Sequence, residues 1–391
     1  MSVAPNPAVR DGEPSDRAVV VRAAGVLGLV WVGDALIYVV MPLHAPAFGI
    51  GLGAVGVVLA VNRIVRILGY GWVSTLSRRY GMRALTATAA LGAALSTIAY
   101  GVLNGLVALL LARLVWGLAY GVLNVTTTAY AIGDGTGTGR RVGLNRAVSG
   151  VGPVLALSVG AWLALELGPR GVFVALGAFG LLAVPLALTL PRTLATAPGA
   201  RAAGTRWRPS SLNVLFFANA AIEGAFTFTL SLLFAGVLPL TSALLAAGLI
   251  LAFQRLMIVL LSLVGGALID RIGPYRVLVP CVGVVVVALV ALAHGALYPA
   301  AITIVIARAF LGTTGPVLAA RERSGSTVER LAAFATWVDS GLALGPLVSG
   351  VVVARFGLPA LYQALAVVIA VALAAHLLER RRGALVTARA A

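Results

Sequence analysis

Apolar runs of about twenty residues recur along the whole chain, separated by short polar stretches that carry arginine. About twenty apolar residues in a helix, at 1.5 Å each, cross the ~30 Å hydrocarbon core of a bilayer. Twelve spans can be placed on this basis. In the first half of the chain they run over 23–42, 53–75, 84–103, 106–129, 142–165 and 171–190. In the second half they run over 212–238, 243–268, 277–297, 299–319, 332–354 and 359–378. Residues 1–22 are polar and mixed in charge, and read as a cytoplasmic N-terminal tail. Ala45-Pro46-Ala47 resembles a signal cleavage site, but the run before it is too long for a signal core and holds Asp34 in its middle, so it is read as the first membrane helix. Residues 191–211, rich in Arg, Pro, Gly and Thr, read as a cytoplasmic linker between the segments 23–190 and 212–378. Residues 379–391 form a basic, polar C-terminal tail.

Composition supports lipid as the solvent. Of the 391 residues 60% are hydrophobic and 10% charged, with mean hydropathy +1.03. Soluble domains carry about 25% charged residues. The net charge of +17 and pI near 11.4 would suggest nucleic acid in a soluble protein. Here the basic residues, all arginine, fall between membrane spans instead, so no nucleic-acid partner is expected. Exclusive use of Arg with abundant Ala, Gly and Val suggests a GC-rich bacterial genome, hence a bacterial cytoplasmic membrane.

Orientation follows from the same arginines. With the N-terminus inside, the cytoplasmic segments hold Arg17, Arg22, Arg78, Arg79, Arg83, Arg140, Arg141, Arg146, Arg271, Arg276, Arg321 and Arg330, with further arginines in the linker and tail. Only Arg170 and Arg355 fall in outer loops. Positive residues concentrate on the cytoplasmic side, so both termini are expected there.

The halves repeat. LAVNRIV (Leu59–Val65) faces LAFQRLM (Leu251–Met257), which sets Arg63 against Arg255 at an offset of 192. Arg79 and Gly81 match Arg271 and Gly273 at the same offset. ARLVWG (Ala112–Gly117) matches ARAFLG (Ala307–Gly312), and Gly152-Pro153 matches Gly345-Pro346. The expected fold is all-α and integral to the membrane: twelve helices in two six-helix pseudo-symmetric bundles.

GGALIDRIG (Gly265–Gly273) resembles the Gly-x-x-x-Asp-Arg-x-Gly signature of the major facilitator superfamily. The first-half counterpart STLSRRYG (Ser74–Gly81) keeps Arg79 and Gly81, but Arg78 stands where the family has its acid. In family terms Asp270, Arg271 and Arg79 would form cytoplasmic latches, and Arg78 would need another carboxylate or a lipid headgroup. ARLVWGLAYG (Ala112–Gly121) is similar to the Arg-x-x-x-Gly-x-x-x-Gly pattern of the fourth helix. SGVGP (Ser149–Pro153) resembles, incompletely, the motif of the drug–proton antiporter branch, since Ala156 replaces a glycine. The resemblance implies alternating access by rocking of two bundles around a central site, and a monomer.

Intramembrane charges mark the candidate site, because burying them in lipid is costly. Asp34, Arg63 and Arg66 lie about halfway along the first two spans, Asp34 and Arg63 at similar depth, and Glu223 and Arg255 repeat that arrangement. These pairs could instead merely brace helices. Arg113, Tyr120 and Asn124 share one face of the fourth span. Asn219, Glu223, Thr227 and Ser231 form a polar stripe on the seventh. Arg308 and Asp339 add one charge of each sign, and the arginines outnumber the acids. Arg63, Arg255, Arg113, Arg308, Tyr38, Tyr120, Asn124 and Asn219 are the candidate solute-binding residues, with Glu223 and, less favoured, Asp34 as proton carriers. The implied function is a proton-coupled exporter of a small anionic or zwitterionic organic solute, a metal-chelating metabolite included; the alternative is an importer or facilitator of an organic anion.

The three histidines, His44, His294 and His376, are scattered near span ends, and Cys281 is the single cysteine. No catalytic cluster, metal site or cofactor is expected from such a set, so an enzyme is not. The expected partners are a small-molecule solute, protons and the lipid bilayer.

Overall fold

The computed structural model describes residues 16–133, 137–192, 209–322 and 325–390, and among these no strand occurs. Four helices come first: α1 (Asp16–Leu43), α2 (Leu52–Tyr80), α3 (Met82–Val102) and α4 (Leu106–Ile132), with one 3-10 turn at Ala45–Phe48. A long rod, Thr138–Gly180, is interrupted at Gly168 (φ 77°, ψ 166°), which divides it into α5 (138–167) and α6 (169–188). The second half begins with α7 (Ser211–Ala235), α8 (Leu240–Ile272), α9 (Pro274–Ala293) and α10 (Leu297–Ala320). A second rod, Thr327–Ala390, is interrupted at Gly357 (φ 80°, ψ 172°), giving α11 (327–356) and α12 (358–390). Divided at these glycines, the described residues form twelve helices, in keeping with the apolar runs.

The repeat is visible in the backbone. Gly81 (φ 79°, ψ 152°) and Gly273 (φ 90°, ψ 151°) end α2 and α8 in one conformation, which L side chains rarely adopt. Each half has its own apolar core. One gathers Leu36, Trp116 and Phe173, the other Phe226, Ile304 and Tyr362. A third cluster, with Tyr70, Tyr130, Ile269, Val317 and Leu331, joins the halves near the ends of α2 and α8. Outside these cores the surface is apolar, as Leu165, Leu249, Val287 and Phe356, each 70% exposed or more, attest. Apolar cover on this scale requires lipid.

Two boundaries differ from expectation. α1 starts at Asp16, so the stretch 16–22 expected in a tail is helical. α12 runs on to Ala390, because the arginine-rich tail contains no proline to stop it. Most of the expected linker, 193–208, lies outside the described residues.

Candidate functional site

Close backbone approach sets the helix pairs that frame the site. A side chain on Gly152 would run into the backbone of Gly28, and one on Gly345 into that of Ala221, so α5 lies tight on α1 and α11 tight on α7. Gly117 of α4 lies against Asn62 of α2, where a Cβ would come 2.9 Å from the Asn62 carbonyl. The glycines of the Gly-Pro and Arg-x-x-x-Gly motifs thus act first as contact points between helices.

Between the halves lies a cavity of about 510 Å³, bounded by α1, α2, α5, α7, α8 and α11. Its polar lining is Asp34, Tyr38, Arg63, Glu223, Thr227, Gln254 and Arg255, set among apolar residues such as Trp31 and Phe228. Both motif prolines, Pro153 and Pro346, also line it. Arg113, Arg308, Tyr120, Asn124 and Asn219 are not among its lining residues.

The acids on the wall are already engaged. Asp34 forms a buried ion pair with Arg113 of α4, which also donates to the Tyr38 hydroxyl (3.2 Å) and the Val58 carbonyl (3.3 Å). In the other half Glu223 pairs with Arg308 of α10 at 2.5 Å, and Arg308 donates to the Asn219 carbonyl at 2.7 Å. The two bonds are repeat equivalents, first helix to fourth in each bundle. They differ in access: the Asp34 side chain is 7% exposed and that of Glu223 34%. Gln254 also reaches Glu223, at 3.4 Å.

The sequence-based match of Asp34 with Arg63 and of Glu223 with Arg255 is therefore corrected. Each acid is taken by a deeper arginine from the fourth helix of its own bundle. Arg63 instead donates to the Leu342 carbonyl of α11 at 2.9 Å, across the two halves. Arg255 is exposed to the cavity and makes no ion pair among the described residues. Arg255, Arg146 and Arg63 all lie within coulombic reach of Glu223 besides its partner Arg308. The site has an excess of positive charge.

A second inter-half contact lies one turn beyond Arg63. Arg66 pairs with Asp339 of α11 at 3.2 Å, and Tyr70 donates to the same carboxylate at 2.7 Å. Tyr120 lies under the Arg66 guanidinium, 4.7 Å to the ring centroid, and is held between Trp116 and Trp31. Tyr120 therefore supports this ion pair from α4. Asp339 and Arg66 are far apart in sequence, and only the adjacency of α2 to α11 joins them.

At the arginine-rich end the halves close. Asp270, expected in an ion-pair latch, instead accepts backbone N–H bonds from Gly139 (2.8 Å) and Arg140 (2.9 Å) at the start of α5. A carboxylate is well placed there, because helix N-termini carry unpaired N–H groups and partial positive charge. Arg271 is exposed and Arg79 lies over the Tyr80 ring at 5.2 Å; neither forms an ion pair among the described residues. Arg78 finds its carboxylate in Glu329 of α11. Gly139 and Gly143 of α5 meet Gly266 and Ser262 of α8 so closely that no side chain fits. The cavity walls come from the parts of α1, α5 and α7 that lie beyond this closure.

His376 is fully engaged, with Ser211 Oγ at 2.8 Å from Nδ1 and the Tyr275 hydroxyl at 3.2 Å from Nε2. Among the described residues no group of His, Cys, Asp or Glu could hold a metal ion.

Two six-helix bundles closed at one end around a charged central cavity are the architecture of a membrane solute carrier. The family model described as Major Facilitator Superfamily matches residues 23–322. The chain belongs to the major facilitator superfamily, whose members carry small molecules across membranes. Solved structures share the fold. The human organic anion transporter MFSD10 superposes with TM-score 0.73 at 19% identity, covering 92% of this chain and 99% of that one. The Escherichia coli fucose:proton symporter FucP gives 0.71 at 16% identity, over 90% and 96% of the two chains. The proton:xylose symporter XylE gives 0.65 at 15%, over 91% and 94%. No curated protein sequence matches the chain.

Proposed function

We propose that this chain is a monomeric secondary transporter that exports a small zwitterionic or anionic organic solute, richer in carboxylates than amines, in exchange for protons. One observation carries the reading. Asp34 and Glu223 are held by Arg113 and Arg308, so Arg63 and Arg255 face the cavity with no carboxylate of their own. A solute carboxylate supplies the missing charge, and guanidinium binds such groups by charge-assisted hydrogen bonds. The name of the human structural relative, an organic anion transporter, agrees with this charge preference.

The arginine asymmetry of the loops supports a cytoplasmic location for the closed end and an outward-facing cavity, and the GC-rich composition supports a bacterial membrane. The sign of proton coupling depends on the solute. A solute ammonium group would sit against Glu223 and compete with a proton there, and competition for one site gives exchange. This favours antiport, as does the resemblance of Gly152-Pro153 to the drug–proton antiporter branch. The second reading is uptake with protons. A solute with no cationic group is repelled by the Glu223 carboxylate and binds better once it is protonated, which couples the two in one direction; FucP and XylE are named as proton symporters.

Proteoliposomes separate the readings. Amino-polycarboxylates and plain polycarboxylates are screened first by thermal shift, since binding to the folded state raises its stability. For antiport, affinity falls as pH falls and an imposed pH gradient drives solute opposite to protons. Stronger binding at low pH establishes the uptake reading, and failure of every carboxylate to bind overturns both.

A further inference from the structure

The repeat that sets Gly152 opposite Gly345, an offset of 193, also sets Arg146 of α5 opposite Asp339 of α11. Asp339 has its counter-charge in Arg66, across the α2–α11 seam. The repeat equivalent of Arg66, at an offset of 192, is Ile258 of α8. The α5–α8 seam therefore has the cation of a cross-half pair and an isoleucine where the anion would stand. Among the described residues Arg146 has no ion pair, and its buried Nε has no hydrogen-bond partner. An arginine in this state is costly in a membrane interior unless an anion reaches it in another step of the cycle.

The surroundings fit that use. The guanidinium lies against Gly312 of α10, where a Cβ would come 2.5 Å from Nη2 and 2.8 Å from Cζ. Gly312 closes the ARAFLG motif, so the glycine makes a berth for an arginine from the opposite half. The same helices carry further buried oxygens with no partner: Asn145 Oδ1 beside Arg146 in the chain, and Thr313 Oγ1 beside Gly312. Arg146 lies two turns from the start of α5, between the closure at Gly139 and the cavity wall at Pro153. It is also within coulombic reach of Glu223.

We propose that Arg146 is a second carboxylate station on the solute path, on the cytoplasmic side of Arg63 and Arg255, occupied when α5 and α8 part. This rests on the proposed function for the identity of the anion. Solute held by Arg63 and Arg255 when the cavity faces out exchanges with solute held by Arg146 when it faces in. At Ile258 the protein supplies no carboxylate of its own to this seam, so an anion for Arg146 has to come from the solute.

The test uses citrate as probe on the purified full chain, with potassium chloride at matched ionic strength as reference. Thermal midpoints are measured for the wild type, R63Q/R255Q, R146Q and the triple variant. The expected result is a citrate shift in the wild type, a partial shift in R63Q/R255Q, and loss of that remainder in the triple variant. A shift abolished by R63Q/R255Q and untouched by R146Q overturns the second station and leaves the proposed function standing. A shift untouched by R63Q/R255Q but lost in R146Q keeps the station and overturns the proposed role of the outer arginines. No wild-type shift with citrate or with any other carboxylate of the screen overturns both. Should R146Q fail to fold, I258E in the R63Q/R255Q background replaces it. The new carboxylate should pair with Arg146, stabilise the closed seam and remove the residual citrate shift; a residual shift that survives in I258E overturns the station.

Discussion

Arg78 in the last turn of α2 is ion-paired with Glu329 in the first turn of α11, where the other half sets Asp270 of α8 against the backbone of α5. The two contacts are repeat equivalents with the acid moved across the seam. Glu329 is itself fixed by a capping box: its carboxylate accepts the Ser326 N–H at 2.9 Å and its own N–H is bonded to Ser326 Oγ. The departure of Arg78 from the family signature is thus matched by an acid on α11, and a first-half contact across the seam is kept with reversed polarity.

Charge reversal across this seam is expected to restore what single changes remove. Arg78→Glu should weaken the closed end by like-charge repulsion, and Arg78→Glu with Glu329→Arg should recover much of it. The pair is partly exposed, so its worth is about 0.2–1 kcal/mol, up to roughly a five-fold change in the population of the closed state. Distances between spin labels on α2 and α11 measure this. Equal distributions in the wild type and Arg78→Glu would remove Arg78 from the latch.

Asp270→Asn should act more strongly than Arg78→Glu. It removes the charge that complements the α5 N-terminus and leaves one amide oxygen for two N–H groups; caps of this kind are worth about 0.5–2 kcal/mol. Label pairs spanning α5 and α8 should move apart at the arginine-rich end. A larger effect from Arg78→Glu than from Asp270→Asn would show that the ion pair, not the helix cap, holds the closure.

What was legible in the sequence follows from what a one-dimensional pattern encodes. Apolar run lengths report membrane crossing directly, so the twelve helices and their repeat were readable; Arg63, Arg255, Glu223 and Asp34, expected in the central site, line the cavity, whereas the Arg113–Tyr120–Asn124 face expected to line it does not. Counting along a helix also gives an expected depth, and on that count Asp34 and Arg63 share one level. Depth does not give direction around the helix axis or the identity of the neighbour. The choice of Arg113 for Asp34 and Arg308 for Glu223 depends on α1 lying beside α4 and α7 beside α10. The Arg66–Asp339 pair depends likewise on α2 meeting α11. The unmatched Arg146 did carry a signal: extending the offset of 193 to Asp339 would have exposed it, but its place near the arginines of a loop made it look cytoplasmic.

Asp34→Asn is expected to damage the fold more than function. Arg113 is fully buried, and removal of its charged partner leaves a cation that Tyr38 and the Val58 carbonyl satisfy only in part. Breaking one partner of a buried pair typically costs about 3–5 kcal/mol. The thermal midpoint of Asp34→Asn should fall well below that of Glu223→Gln, whose partner Arg308 keeps the Asn219 carbonyl and lies beside the wet cavity. Equal midpoints for the two variants would contradict the difference in burial.

Arg63→Gln and Arg255→Gln should each weaken binding of an anionic solute, and Arg255→Gln should do so with less effect on stability. Arg63 has a structural task as well, its 2.9 Å bond to the Leu342 carbonyl across the halves, whereas Arg255 has no ion pair to lose. Loss of one charge-assisted bond of about 1.5–3 kcal/mol corresponds to roughly a ten- to hundred-fold loss of affinity. Titration calorimetry with the best carboxylate from the thermal screen measures it. Unchanged affinity in both folded variants removes these arginines from the site.

Glu223→Gln is the decisive variant for coupling. Glu223 is the acid that combines a wall position, a partly open side chain and a polar surround in Gln254 and Thr227, whereas Asp34, also on the wall, is only 7% exposed and is held from behind by the fully buried Arg113. Burial favours the neutral acid and the arginines around it favour the carboxylate, so a change in either influence moves a proton. Rocking of the halves changes both, because Arg63 and Arg146 belong to one bundle and Glu223 to the other. Glutamine keeps the size and an oxygen for Arg308 but cannot exchange a proton in this range. Solute exchange at equal concentrations on both sides should therefore continue in Glu223→Gln, while accumulation driven by a pH gradient disappears. Proteoliposomes loaded with labelled solute report both quantities on one preparation. Accumulation at the wild-type level in the variant means that the proton travels elsewhere, and loss of exchange together with accumulation means that Glu223 binds the solute itself.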